Sequence, residues 1–181
     1  NGKSIEEINL LKGNPHKLQA EAETIISMML QGGASMVFHG MSEKDVSNIM
    51  KVPYNMIASD AGIRVLGAGV PHPRGYGTNA RVLGKYVREK NIITLEEAIR
   101  RMTSLPARKF NIENRGMIRE GAVADIVVFD ENTVNDLATF DQPHQLSTGF
   151  SYVLVNGQVT VDQGKHIGTR AGKVIRWTGG K

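Results

Sequence analysis

The chain has 181 residues, 40% of them hydrophobic and 22% charged, with a formal net charge of +4 and an isoelectric point near 9.4. That is enough for one or two globular domains and too apolar for a disordered protein, and the scattered Lys and Arg form no basic block interleaved with aromatics, so nucleic acid is not an expected partner. Cysteine is absent, which removes disulfides and thiolate metal ligands, and no apolar run suits a signal segment or a membrane span, so a cytoplasmic location is expected.

Residues 1–33 read as helix. Ser4 and Glu7 have the spacing of a capping box for a short helix through Leu11, and Asn14 followed by Pro15 opens a longer one. In that second helix Ala22, Ile25, Ile26 and Met29 fall at helical spacing before Gly32-Gly33, which predicts a helix packed on a sheet. Ser35 to His39 reads as a short buried strand. Ser42 caps a helix carrying Val46, Ile49 and Met50, and Pro53 opens a second strand through Met56, Ile57 and Ala58 that stops at Ser59-Asp60. Strand, helix and strand in so few residues predict a parallel pair with a crossover.

A carboxylate is costly to bury unless it is paired, hydrogen-bonded or metal-bound, so an acid at the end of an apolar strand needs a reason. Asp60 is either a turn former or a reactive group. The glycine-rich stretch that follows, with Gly62, Gly67, Gly69, Gly75 and Gly77, reads as a loop holding His72, Pro73 and Arg74 ahead of a helix from Thr78. That helix turns Val82, Leu83, Tyr86 and Val87 one way. Thr94 and Glu97 cap the next, with Leu95, Ala98, Ile99 and Met102 as its stripe, and Ser104-Leu105-Pro106 starts one more turn through Phe110. These helices carry packing residues and no chemistry.

Composition changes near Asn111. From Gly116 the chain is rich in β-branched residues: Ile126 to Phe129, Tyr152 to Val155, then Asn156-Gly157, then Val159 and Val161. An Asn-Gly pair between two such runs predicts a hairpin. Asp125 reads as a turn or strand-start residue, His39 as a hydrogen-bonded rim histidine without a metal role, and His166 as non-catalytic.

Three stretches in order, SDAG at Ser59, HPRGYGT at His72 and RVLG at Arg81, resemble the N-acyl-D-amino-acid deacylases, the D-aminoacylase branch of the metal-dependent amidohydrolases. The run from Arg115 to Asp130 resembles the re-entry of amidohydrolases into a secondary β-sandwich, and the tail from Ser151 to Arg176 follows the D-aminoacylase pattern. The resemblance implies an α/β fold: residues 1–112 as the end of a (β/α)8 barrel, with its last two strands and helices, and residues 113–181 as part of a small β-sandwich. Sites of such barrels lie at the carboxyl ends of the strands, where Asp60 would sit.

The same resemblance implies the chemistry. Asp60 would lie by the metal, take a proton from the attacking water and pass it to the leaving amine; Arg74 would grip the α-carboxylate of the substrate, flanked by His72 and Tyr76. Zinc is the implied metal and an N-acyl-D-amino acid the implied substrate. Asn79-Ala80 and SDAG depart from the family pattern at acyl-side or loop contacts and leave the acid and the arginine in register. The family's amino-terminal HxH motif, its bridging cysteine, lysine or glutamate and its two later histidine ligands are not found here, and no pair among His16, His39, His72, His144 and His166 has ligand-like spacing on one element. With Asn1 in place of a start methionine, this leads to the expectation of a carboxyl-terminal portion of a longer enzyme, inactive alone. Its missing amino-terminal part would be a partner, and unpaired sheet edges would favour self-association. Two alternatives stay open: a cyclic-amide hydrolase or deaminase of the same superfamily, and a non-catalytic interaction module.

Overall fold

The computed structural model describes residues 2–176; the end of the expected second domain, residues 177–181, lies outside the described residues. The described residues form two compact units, one of residues 2–40 with 68–70, the other of residues 41–67 with 71–176.

The first unit is built on a helical hairpin of α1 (Ile5–Leu11) and α2 (Leu18–Leu30). Ser4 Oγ accepts from Glu7 N–H and the Glu7 carboxylate accepts from Ser4 N–H, the reciprocal cap that the spacing predicts. What holds the two helices is polar. Asn9 and Thr24 are fully buried, with Thr24 Oγ1 donating to Asn9 Oδ1 at 2.9 Å and Asn9 Nδ2 donating to Pro15 O at 2.9 Å. Each buried group therefore has a partner, and no desolvation cost is left uncompensated. The apolar stripe expected to pack on a sheet is instead exposed at Ile25, Ile26 and Met29. No sheet covers it within this unit, whose described residues contain no strand.

The second unit contains α3 (Glu43–Met50), α4 (Arg74–Arg81), a π-helical run (Val82–Glu89), α5 (Leu95–Met102), α6 (Ser104–Lys109), and a four-stranded sheet of β1 (Ile126–Phe129), β2 (Phe150–Val155), β3 (Gln158–Asp162) and β4 (Lys165–His166). Every strand pairs antiparallel with the next in sequence. Asn156 and Gly157 both take positive φ, +49° and +79°, so the Asn-Gly pair makes a two-residue turn whose twist suits the flanking strands. Asp125 is structural, as its position suggests: Oδ1 accepts from Asn156 N–H at 2.8 Å and Oδ2 pairs with Arg115.

The structure corrects two expectations. Neither residues 35–39 nor 53–60 form a strand, and the expected parallel pair is absent among the described residues. An apolar run becomes a strand only when a neighbour takes its backbone groups. Ile57 N–H instead donates to Arg101 O at 3.2 Å, which sets the run against the end of α5, and Ile57 packs on the helical core. Helix α4 also begins at Arg74, not Thr78, so Gly75 and Gly77 are helical and Thr78 Oγ1 donates back to Arg74 O at 2.9 Å. Gly77 is needed in this helix because a Cβ there would lie 2.6 Å from Asp136 Cβ. The stripe read for the helix after the glycines is sound, since Val82, Leu83 and Tyr86 are buried with Met50, Ala80, Ala98 and Val134.

Helix α5 is tied to that core through charge. Arg101 has only 2% of its side chain exposed; Nε donates to Glu97 Oε1 at 2.7 Å and Nη1 donates to Met50 O. Arg100 grips the other carboxylate oxygen through Nε at 2.6 Å and reaches Pro53 O. The hydrogen bonds from Arg100, reinforced by Arg101, hold the Glu97 carboxyl down to about 2 from its ordinary 4.5. A carboxylate depressed on folding stabilises the fold above its unfolded pKa, and that contribution is lost as pH falls from about 4.5 through about 2. Glu97→Gln should therefore flatten the acid side of the stability profile in that window, measured by urea denaturation at successive pH values. An unchanged slope would show that the Glu97 pairs do not govern acid unfolding.

Candidate active site

Asp60 closes the run from Pro53 with φ +47°, in the left-handed region that Asp enters more easily than most residues. This turn points its carboxylate outward, and 86% of the side chain is exposed. Arg74 stands at the first position of α4. Its Nη2 meets Asp60 Oδ2 at 2.9 Å with 44% of its own side chain exposed. The acid and the cation singled out from the sequence are thus brought together. An ion pair this open to water contributes only about 0–1 kcal/mol, so a competing carboxylate can displace Asp60 from the guanidinium at little cost.

His72 and Tyr76, the flanking residues, have defined jobs in this geometry. Arg74 N–H donates to His72 Nδ1 at 3.1 Å, which satisfies one of the amide groups left open at the start of a helix. The His72 ring lies edge-on to Phe140, centroids 5.0 Å apart. Tyr76 Oη lies 3.0 Å from His144 Nδ1, and the same nitrogen accepts from Gly67 N–H at 3.1 Å. Ser147 Oγ donates to Tyr76 O at 2.9 Å. Arg81, at the other end of α4, pairs with Asp136 at 2.8 Å.

Phe140, His144, Ser147 and Asp136 all belong to residues 130–149, the connection between β1 and β2, and none of them stands out in the sequence as a functional residue. The signal was its length. A link this long between antiparallel neighbours exceeds ordinary hairpin loops and is commonly functional. It is fixed at its base by Val134, fully buried, whose carbonyl accepts from Arg88 Nη1 at 2.7 Å, and by the pairing of Asn135 with Thr148. His39 belongs to the first unit, and His166 Nδ1, in β4, accepts from Gly168 N–H.

A resident metal such as zinc takes about four ligands. Asp60 can offer one exposed oxygen, but no three His, Cys, Asp or Glu side chains converge among the described residues. They do not form a metal site by themselves. No helix among them is long and apolar enough to cross a membrane.

The sequence pattern of the amidohydrolase family matches residues 44–161. N-acyl-D-glutamate deacylase of Alcaligenes xylosoxydans xylosoxydans is 39% identical over 97% of this chain, and D-aminoacylase of the same organism is 39% identical over 80%. A crystal structure of D-aminoacylase superposes with a TM-score of 0.82 at 36% identity over 94% of the chain. N-acyl-D-glutamate deacylase from Bordetella bronchiseptica, in complex with zinc and a phosphonate that mimics the tetrahedral intermediate, superposes with a TM-score of 0.75 at 39% identity over 87%. The chain spans about a third of the length of these relatives, 33% and 29% of the two sequences and 34% and 31% of the two structures.

Proposed function

Because this chain belongs to the amidohydrolase family, we propose that it is the part of a metal-dependent hydrolase that supplies the acid and the carboxylate grip for cleaving N-acyl-D-amino acids to a carboxylate and a free D-amino acid. The observation that carries the proposal is the contact of an exposed Asp60 with Arg74 at 2.9 Å. Both groups face solvent, and the weak pair they form can open.

In this reading Asp60 takes a proton from the attacking water onto Oδ and delivers it to the departing amine nitrogen as the C–N bond breaks. Arg74 holds the α-carboxylate through parallel N–H donors, a geometry a guanidinium matches and an ammonium does not. Zinc would supply an activated water and polarise the acyl carbonyl. Its remaining ligands would lie outside this chain, so the isolated chain is expected to be inactive. In the same reading residues 1–112 end a (β/α)8 barrel, in which residues 35–39 and 53–60 would become strands only beside partner strands from outside this chain, and residues 113–181 belong to a β-sandwich. The superposition on D-aminoacylase over 94% of the chain supports the shared α/β fold, and a cytoplasmic location goes with this reading. Sheet edges without a covering partner would favour association of isolated chains, which light scattering measures directly.

Substrate profiling tests the grip. In an active protein containing this chain, Arg74→Ala should raise KM for N-acyl-D-amino acids about tenfold or more and leave amides without an α-carboxylate nearly untouched, because a charge-assisted bidentate pair is worth about 1.5–3 kcal/mol. Equal losses on both substrate sets would remove Arg74 from the site. Turnover of cyclic amides in preference to linear amides of D-amino acids would favour the ring-opening branch of the family instead.

A further inference from the structure

We propose that His144 is a positioning residue for Arg74, acting through a single ring nitrogen that ties the segment after Asp60 to the first turn of α4. The inference deepens the reading of Arg74 as the carboxylate grip and rests on it. Two groups converge on His144 Nδ1: Gly67 N–H at 3.1 Å and Tyr76 Oη at 3.0 Å. A backbone amide can only donate. Nδ1 must therefore carry a lone pair, the ring proton sits on Nε2, and the Tyr76 hydroxyl also turns its hydrogen inward.

Each end of this tie matters. Gly67 has φ +85°, a bend that glycine takes without strain and that leaves its N–H donating to His144. Tyr76 follows Arg74 by two residues in α4, and its own carbonyl accepts from Ser147 Oγ at 2.9 Å. The His144 and Tyr76 rings lie 5.7 Å apart at 65°, an edge-to-face contact that fixes the ring plane. One imidazole thus sets the distance between the two sides of the Asp60 and Arg74 pair. Its effect is on where the guanidinium sits.

The lone pair can be tested separately from the ring. Asn keeps an acceptor oxygen at the place of Nδ1, whereas Phe keeps the ring and removes the acceptor. In the 181-residue protein, the His144 Nδ1 nitrogen shift should be that of an unprotonated ring nitrogen. Hydrogen exchange at the Gly67 amide should quicken at least tenfold in His144→Phe and stay near wild type in His144→Asn. In the active protein, His144→Phe should raise KM for substrates with an α-carboxylate about three- to tenfold, leave kcat nearly unchanged and be rescued by His144→Asn. Tyr76→Phe, which removes one of the two donors and keeps the ring, should give a smaller shift in the same direction and serves if His144→Phe does not fold.

If Arg74→Ala affects carboxylate substrates selectively while neither His144→Phe nor Tyr76→Phe changes their KM, the positioning role is overturned and the Arg74 reading survives. If Arg74→Ala is without selective effect, the Arg74 reading fails, and the exchange and nitrogen-shift data still decide whether the tie exists. A protonated Nδ1, or an amide of Gly67 that exchanges equally in wild type and His144→Phe, overturns the tie itself.

Discussion

Asp60→Asn should lower kcat about 10²- to 10⁴-fold in an active protein containing this chain, while its far-UV circular dichroism and melting temperature stay close to wild type. Asn is nearly isosteric with Asp and cannot carry a proton between water and a leaving amine. The structural cost should be small because the side chain is 86% exposed and its ion-pair partner, the Arg74 guanidinium, is itself open to solvent. The position itself, with φ +47°, accommodates Asn as readily as Asp. The two effects therefore separate, a large loss of rate against a small loss of stability. Metal content measured on the same preparation distinguishes a lost proton carrier from a lost ligand. Turnover that survives the substitution would reduce Asp60 to a turn residue and end the proposal.

The candidate residues were legible through resemblance, carried by the short motifs SDAG, HPRGYGT and RVLG in one stretch. Asp60, His72, Arg74 and Tyr76 lie within seventeen residues of one another in the sequence, and the structure does bring the acid and the guanidinium into contact. Local signals also located the caps at Ser4, Ser42 and Thr94 and the Asn156-Gly157 hairpin, since each depends on residues a few positions apart. What the sequence could not convey were outcomes decided by distant partners. Residues 53–60 have the composition of a buried strand, yet strand formation depends on a neighbour that the run itself does not specify. The glycines at Gly75 and Gly77 look like loop punctuation, but Gly77 is there for the close approach of Asp136, fifty-nine positions away. His144 meets Gly67 and Tyr76 across still longer separations, and no local pattern announces that.

The same long-range logic predicts the largest effect on stability. Gly149→Ala should destabilise the protein by about 3 kcal/mol or more, lowering the melting temperature by about 6–12 °C for a protein of this size. Gly149 has φ +83°, and a Cβ there would lie 2.3 Å from Val134 Cα and 2.4 Å from Val134 N. Those are backbone atoms, so no rotamer change relieves the clash. Val134 is fully buried in the helical core, which leaves it no room to retreat. Gly168→Ala is the matched control: its φ is +82°, but nothing lies within 4 Å of the added carbon, so only the conformational cost of about 1–2 kcal/mol applies. The difference between the two variants measures the steric closure of residues 130–149 against the helices. Because that segment also carries Asp136, His144 and Ser147, its loosening should raise KM for carboxylate substrates below the melting transition as well. Equal melting temperatures for the two variants would mean that this connection yields easily, and it could not then hold α4 in place.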